Sequence, residues 1–168
     1  MNLYILRHGI AVERGTPGFT LDSQRPLTSE GRRKLRRISR ALQQLDLSFD
    51  VILSSPFTRA RQTAEIVAAN LNLNKKLKFT EALTPATSRV RLIKEINSIR
   101  PSPNDVLLVG HEPSLSELIS LLLCGDADCT ILLKKGGLCK LSVERRLIAG
   151  QCACLECLLT PRQLVRMV

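Results

Sequence analysis

The chain has 168 residues and a formal net charge of +10, and its apolar content of 44% suits an ordinary globular protein with one domain over residues 1–168. No apolar run approaches the roughly 20 residues that cross a bilayer, and the N-terminus lacks the basic-then-apolar layout of a signal peptide, so we expect a cytoplasmic protein that engages no membrane. The positive net charge is typical of nucleic-acid-binding proteins, but a basic enzyme with anionic substrates would have the same charge. With four Phe, one Tyr and no Trp, the chain has few aromatic side chains that could stack on unpaired bases.

The first predicted strand is a short apolar run, residues 3–6, that ends abruptly at Arg7, His8 and Gly9. A continuous apolar run of this length suits a strand buried on both faces. Ligands of open α/β sheets bind just beyond the carboxyl ends of the strands, and a glycine there lets the backbone approach a ligand closely. Arg7 and His8 are therefore candidate site residues, although a core strand that simply ends in a polar turn gives the same short motif.

A loop over residues 10–24 leads to a predicted helix from Thr28, which can cap it, to about Leu45. The apolar residues of this helix form one stripe at helical spacing, namely Leu35, Ile38, Leu42 and Leu45. Arginines cluster on the opposite side, namely Arg32, Arg33, Arg36, Arg37 and Arg40. This basic side is either a solvated charged face, as is usual for a surface helix, or a docking surface for an acidic partner.

A second buried strand is predicted within residues 50–56, and a helix follows over residues 58–71. Arg59 falls in the first turn of that helix, where its charge opposes the helix macrodipole. A bound anion would relieve this cost, because helix N-termini and arginine both attract phosphate. Arg59 is therefore a third candidate site residue.

Beyond this helix, a short extended piece is predicted at residues 75–80 and a further helix at residues 89–99, with Ser88 as its cap. The residues expected to face inward from this helix are Val90, Ile93 and Ile96. A third buried strand, residues 105–110, is followed directly by His111. Ser114 is expected to cap the next helix, which runs over residues 115–123.

In the last third of the chain, apolar stretches at residues 130–133 and 138–143 are joined by residues 134–137 and predict a β-hairpin. The segment 145–154 is ambiguous. The remaining predicted elements are a short strand at 155–159 and one helical turn within 160–168. Strands alternating with helices predict an α/β sandwich of three layers, in which helices flank a mainly parallel central sheet.

All six cysteines lie in this last third. They are Cys124, Cys129, Cys139, Cys152, Cys154 and Cys157. In a cytoplasmic chain of this length we expect reduced core residues rather than a disulfide framework. Their spacing lacks paired C-x-x-C motifs and both histidines are distant in sequence, which argues against a zinc site.

Both histidines of the chain fall at predicted strand ends, with arginines beside them. Two guanidinium groups and two imidazoles suit a dianionic phosphoryl group. A neutral imidazole can attack phosphorus and carry the group as phosphohistidine, while cationic groups neutralise the equatorial oxygens. No cluster of carboxylates suggests Mg²⁺, so we expect neither a metal nor another cofactor.

Several segments of this sequence resemble the histidine phosphatase superfamily, and within it the SixA-type phosphohistidine phosphatases. The motifs that carry the resemblance are Arg7-His8-Gly9, the segment from Ser55 to Ala64, and Gly110-His111. Three more resemble that subgroup, namely Arg25-Pro26-Leu27-Thr28, Glu81-Ala82-Leu83-Thr84-Pro85 and Leu159-Thr160-Pro161. The resemblance implies a phosphoglycerate-mutase-like fold and a hydrolase acting through a covalent phosphohistidine.

By the same resemblance, His8 is the nucleophile, Arg7 and Arg59 bind phosphate, and His111 stabilises the transferring group. Arg25 is expected near the pocket. The mutase-like branch of the superfamily has a Glu general acid in an inserted segment, for which this compact chain leaves little room. Glu112, directly after the second histidine, and Glu81 are candidate general acids, and either can instead be a structural hydrogen-bond acceptor.

We therefore predict a metal-independent phosphatase of phosphohistidine on a protein domain, with a role in phosphorelay signalling. The expected partners are this phosphoprotein and phosphate, with no nucleic acid and no membrane. Three other functions remain open: hydrolysis of a small phosphate ester, non-catalytic phosphate binding, and nucleic-acid binding on charge alone. The scarcity of aromatic residues and insertions argues against a deep small-molecule pocket.

Overall fold

One six-stranded sheet forms the centre of the computed structural model, which describes residues 1–144 and 146–168. The strands are β1 Asn2–Arg7, β2 Val51–Ser54, β3 Leu77–Phe79, β4 Asp105–Gly110, β5 Leu138–Val143 and β6 Ala153–Leu159. Their order in the sheet is β3-β2-β4-β1-β5-β6. The first four strands in that order are mutually parallel, β5 is antiparallel to β1, and β6 is antiparallel to β5. The carboxyl ends of β1, β2 and β4 therefore lie side by side at one edge.

Helices cover both faces of this sheet. They are α1 Ser29–Gln44, α2 Thr58–Asn70, α3 Arg89–Ser98, α4 Ser114–Cys124 and α5 Pro161–Arg166. Successive side chains of β1 alternate between two cores, because neighbouring strand residues point to opposite faces. Leu3 and Ile5 pack in one core with apolar residues of α3 and α4, while Tyr4 and Leu6 pack in the other with α1, α2 and α5. The three-layer α/β sandwich is thus confirmed.

The capping predictions are right for two helices and wrong for one. The side chain of Thr28 accepts a hydrogen bond from the Gly31 amide, and that of Ser88 accepts one from the Val90 amide. Ser114 does not cap α4: Pro113 precedes the helix, and the Ser114 hydroxyl donates to the carbonyl of Pro85 at 3.0 Å. The helix therefore begins one residue earlier than expected.

Two residues predicted to face inward are exposed. Val90 is 41% exposed, because it lies in the first turn of α3, and Leu92 packs in the core instead. Leu45 is 44% exposed, because α1 ends at the preceding residue and the chain turns away. In α1 and α3, helical spacing predicted the buried face correctly in the middle of the helix, and it was wrong for one residue at the end of α1 and one at the start of α3.

The predicted hairpin is also wrong. Residues 130–133 form no strand, and the antiparallel partner of β5 is β6, with Leu138 opposite Leu159. The turn at 134–137 instead lies against the end of β1, where the Gly136 amide donates to the carbonyl of Arg7 at 3.0 Å. The ambiguous segment 145–154 contains the start of β6, and its first residue lies outside the described ranges.

The cysteines do not form the expected set of core residues. All six are free, but only Cys139 is buried. Cys154 and Cys157 lie on β6, which is the last strand of the sheet in the described part of the chain. Within the described ranges, none of the helices combines the length and apolar character that crossing a membrane requires.

Candidate active site

Three parallel strand ends bring the candidate residues together at one edge of the sheet. His8 follows β1, Ser55 follows β2 and His111 follows β4. The His8 amide donates to the carbonyl of Gly110 at 3.1 Å, and the Ser55 amide donates to the carbonyl of Val109 at 3.0 Å. These bonds extend the ladders by one residue and fix both segments beside His111.

The His8 ring is buried, with 6% of the residue exposed. Its Nδ1 lies 2.8 Å from the carbonyl oxygen of Gly9, which can only accept, so Nδ1 carries the proton and donates it. Nε2 therefore keeps its lone pair, and it accepts a hydrogen bond from Arg59 Nε at 3.3 Å. Burial, together with the charges of Arg59 and Arg7, lowers the pKa of His8 to about 3 despite the bond to Gly9. The imidazole is thus neutral at pH 7.

His111 is the second buried imidazole, and its ring centroid lies 5.1 Å from that of His8. Its Nε2 lies 2.9 Å from the Ser55 hydroxyl, which also accepts a bond from the Phe57 amide at 3.3 Å. The hydroxyl can give its own proton to His111 Nε2, which leaves a proton on Nδ1. Nδ1 is buried and has no partner among the described residues. Desolvation by burial and the charge of Arg59 lower the pKa of His111 to about 2.

The guanidinium of Arg59 reaches His8 from the first turn of α2, and Arg59 is only 4% exposed. Its centre lies 5.4 Å from the Phe57 ring centroid, and the Phe57 ring lies 5.2 Å from that of His111. Two of its nitrogens bind Asp22: Nη1 donates to the backbone carbonyl at 2.6 Å and Nη2 to the carboxylate at 2.8 Å. The planar fork is therefore fixed, with Nε directed at His8.

Asp22, which the sequence interpretation placed in a loop without a function, links three arginines. Its carboxylate accepts from Arg25 at 2.7 and 3.0 Å, from Arg59 at 2.8 Å and from Arg14 at 3.2 Å. Burial alone would raise the pKa of Asp22, but the bonds from Arg25 and Arg59 and the charge of Arg59 hold it well below its usual range. Asp22 is ionised at neutral pH and is not a proton donor there. In the sequence, the spacing of three residues between Asp22 and Arg25 is the one local feature that could have predicted an ion pair of Asp22.

Arg25 and Arg7 are held by different segments of the chain. Arg25 approaches it through Asp22, and its Nη1 donates to the carbonyl of Val12 at 2.5 Å. Arg7 Nη1 donates to the carbonyl of Leu133 at 2.9 Å, while Arg7 Nε is buried and has no partner among the described residues. Burial lowers the pKa of Arg7, and the carboxylate of Glu112 opposes that shift.

The two candidate acids differ in placement. Glu112 follows His111 and is partly buried, with one carboxylate oxygen accepting from the Ser116 hydroxyl. Its other oxygen, Oε1, is buried and has no partner in the described part of the chain. Glu81 is exposed on a short 3₁₀ turn, Glu81–Leu83. Across residues 1–144 and 146–168, no hydrogen bond or ion pair joins its carboxylate to His8, Arg59 or His111, so the structure does not bring Glu81 into the cluster.

Gly9 and Thr63 connect the site to the helices around it. The Gly9 amide donates to the Thr63 hydroxyl at 3.1 Å, and that hydroxyl donates to the carbonyl of Arg59 at 2.7 Å. A Cβ atom at Gly9 would lie 2.6 Å from Leu35 Cδ1 on α1, so any larger residue would require the Leu35 side chain to shift. Thr63 belongs to the motif that suggested the family, but nothing in the sequence identified this contact.

The sheet between two helical layers has the fold of the histidine phosphatases, and two buried histidines lie beside a fixed arginine at the ends of its strands. The sequence profile of the histidine phosphatase superfamily (branch 1) matches residues 3–86. The chain therefore belongs to that superfamily, and its activity is that of a phosphatase hydrolase.

The chain is similar over most of its length to several known proteins. It is 30% identical over 127 residues to the phosphohistidine phosphatase SixA of Escherichia coli (strain K12), covering 75% of this chain and 76% of that protein. It is 37% identical over 139 residues to an uncharacterized protein of Picosynechococcus sp., covering 82% of each. The solved structure of the protein histidine phosphatase SixA complexed with tungstate has a TM-score of 0.82 and 25% sequence identity, with 98% of this chain and 99% of that chain covered.

Proposed function

We propose that this protein is a metal-independent protein phosphohistidine phosphatase that acts through a covalent intermediate on His8. We further propose that it forms a single domain over residues 1–168 and serves phosphorelay signalling in the cytoplasm. The observation that carries the proposal is the state of His8. The ring is neutral, Gly9 holds the proton on Nδ1, and the lone pair of Nε2 faces Arg59.

In the first step, His8 Nε2 attacks the phosphorus of the substrate. The new bond to Nε2 forms as the phosphorus–nitrogen bond of the substrate phosphohistidine breaks, and the substrate ring, protonated on its other nitrogen, leaves with the electron pair as a neutral imidazole. Arg59 Nε, which donates to Nε2 in the free site, transfers its hydrogen bond to a phosphoryl oxygen. The Nδ1 proton of His111 and the Arg7 guanidinium are further donors for the equatorial oxygens.

In the second step, water attacks the phosphoryl group on His8 and releases phosphate, which restores the free imidazole. The same donors bind the same oxygens, because the geometry at phosphorus is equivalent in both steps. Asp22 positions Arg59 for both steps, since it binds both terminal nitrogens of the guanidinium.

The leaving group is the reason to prefer phosphohistidine over an alkyl phosphate. An alkoxide needs a proton as it leaves, whereas an imidazole is far less basic and gains less from a general acid. Asp22 is ionised at neutral pH, and Glu81 lies outside the cluster. Glu112 directly follows His111, and its bond from Ser116 favours a structural role in bracing the loop after His111 over a role as general acid.

A substrate panel tests the proposal and the role of Glu112 together. Wild type should hydrolyse a phosphohistidine protein and phosphoramidate in preference to alkyl phosphates, with the same rates in the presence of EDTA. If Glu112 braces the loop, Glu112→Gln should lower kcat/KM for alkyl phosphate, aryl phosphate and phosphohistidine by similar factors. If it is the general acid, the loss should instead grow with leaving-group basicity.

Efficient wild-type hydrolysis of an alkyl phosphate, lost selectively in Glu112→Gln, would contradict the phosphohistidine assignment and identify a small-molecule phosphatase. Phosphate binding with no turnover of any substrate would identify a non-catalytic module. The control is Glu81→Gln, because it removes the same charge from the exposed carboxylate outside the cluster and should leave all rates unchanged.

Replacing Asp22 by asparagine should lower kcat by about tenfold and also strengthen binding of inorganic phosphate. The arginine fork loses its charged anchor, so the transition state is held less well, while an anion that competes with phosphate is removed. Steady-state kinetics with phosphate as the inhibitor measures both effects. Glu13→Gln is the control, since Glu13 is exposed in the same loop. Unchanged kcat in Asp22→Asn would contradict the positioning role.

A further inference from the structure

The outer face of α1 is strongly basic. Six cations lie on this helix against a single acid, Glu30. The cations are Arg32, Arg33, Lys34, Arg36, Arg37 and Arg40. Within the described residues, no carboxylate side chain forms a salt bridge to any of the six, and only Arg37 has side-chain hydrogen bonds, to the carbonyls of Val165 and Val168.

This arrangement opposes the stability of the helix itself. Like charges four residues apart, such as Arg32 with Arg36 and Arg36 with Arg40, repel one another along the helix surface. Arg32 and Arg33 also lie close to the helix N-terminus, where cations oppose the macrodipole. A face whose only role is to be solvated would stabilise the helix more if it carried both positive and negative charges. The stability of the fold therefore does not explain why this face is basic.

Two further exposed cations, Lys134 and Lys135, lie in the turn at 134–137, which packs between the end of β1 and α1. The amide of Gly136 in this turn donates to the carbonyl of Arg7 at the end of β1. A Cβ atom at Gly136 would lie 3.0 Å from Ile38 Cδ1 on α1 and 3.7 Å from Pro161 Cβ on α5. The charge of Lys135 also reaches His8, whose pKa it helps to lower. The turn therefore lies between the end of β1, which precedes His8, and the buried side of α1.

We infer that this basic band, the exposed α1 arginines together with Lys134 and Lys135, docks the acidic surface of the protein domain that carries the phosphohistidine. The inference rests on the proposed function and adds the chemistry of the partner. Charge complementarity across such a surface accelerates association and orients the partner toward the site. The N-terminal half of α1 lies near the site, because Leu35 on the buried face of this helix packs against Gly9, which follows His8.

Two other occupants fit the band less well. An unpaired nucleic acid would need bases to stack on aromatic side chains, and neither α1 nor the turn at 134–137 contains an aromatic residue. An anionic membrane is favoured by helices whose apolar face can enter the lipid, but Leu35, Ile38 and Leu42 are buried in the core of this protein.

A second group of cations supplies a matched control. Lys75, Lys76 and Lys78 are exposed around the start of β3. Since β3 is parallel to β2, the start of β3 lies toward the sheet edge opposite to the one at which His8, Ser55 and His111 lie. Reversing three charges there changes the net charge of the protein as much as reversing three on α1.

The test compares two triple variants. The α1 variant combines Arg33→Glu, Arg36→Glu and Arg40→Glu. The lysine variant combines Lys75→Glu, Lys76→Glu and Lys78→Glu. The probe is a four-helix bundle with one histidine phosphorylated by phosphoramidate, made with an acidic surface and with a neutral one. The α1 variant should lose about tenfold or more in kcat/KM on the acidic bundle at low salt, and less as salt rises. Turnover of the neutral bundle and of phosphoramidate should remain, and the lysine variant should match wild type.

Equal losses in the two triple variants, or none, would overturn the docking surface. Replacing the same arginines with glutamine keeps strong helix formers, so a loss on the acidic bundle with normal phosphoramidate turnover is expected there too. Binding of the unphosphorylated acidic bundle is measured separately by titration.

Failure of wild type to hydrolyse any phosphohistidine would contradict the proposed function alone. Equal affinity of wild type and the α1 variant for the acidic bundle would contradict the docking surface alone. Tighter α1-dependent binding of single-stranded DNA than of the bundle would also overturn it.

Discussion

His8→Ala should abolish turnover and the acid-labile phosphoenzyme while the fold persists. The alanine variant has no atom that can attack phosphorus, so we expect kcat to fall by about 10⁴-fold or more, as losses of a nucleophile usually do. Rapid quenching with labelled phosphohistidine substrate, followed by acid and alkali treatment, measures the covalent intermediate directly.

His8→Asn serves as a second variant, because asparagine keeps a polar donor that can reach the Gly9 carbonyl and disturbs the packing less. Both variants should fail to form the intermediate, and circular dichroism should show wild-type secondary structure. Unchanged turnover in either folded variant would rule out nucleophilic catalysis by His8.

The second large effect is expected at Arg59. Arg59→Ala removes the guanidinium that contacts both His8 and Asp22, and kcat should fall by about 10²- to 10³-fold, as when a single charged donor to the transition state is lost. Arg59→Lys should recover only part of this loss, because an ammonium cannot direct one nitrogen at His8 while two others bind Asp22.

Arg14→Ala is the matched control, since Arg14 also binds Asp22 but its side chain is 83% exposed. It should change kcat by less than about threefold, because exposed ion pairs contribute little. Full recovery of activity by Arg59→Lys would show that a point charge suffices and would contradict the role of the planar fork.

The part of the site that lies on strand ends could be predicted from the sequence. Apolar runs ending at His8 and before His111 predict parallel strands, and parallel strands of a sheet end at the same edge. The two histidines and Arg59 indeed lie together there, at distances that hydrogen bonds and ring contacts allow. This prediction needed only local patterns and the geometry of a parallel sheet.

The contribution of the loop between β1 and α1 could not be predicted in the same way. Asp22 lies close to Arg25 in the sequence, but its bond to Arg59 spans 37 residues and depends on how the loop folds over α2. The hairpin failed for a related reason: residues 134–137 have the composition of a tight turn, but their partner is the end of β1, more than a hundred residues earlier. Long-range contacts of this kind leave no periodic pattern.

The burial of two neutral imidazoles also makes the native state sensitive to acid. His8 and His111 have pKa values of about 3 and about 2 in the folded protein, against 6.5 for an ordinary histidine. Below pH 6.5 these two histidines are protonated in the unfolded chain but stay neutral in the native state. The free energy of unfolding therefore declines as the pH falls toward about 3. Above pH 6.5 both states hold these rings neutral and the linkage vanishes. The burial that keeps His8, the proposed nucleophile, unprotonated at neutral pH thus couples folding to proton uptake in acid.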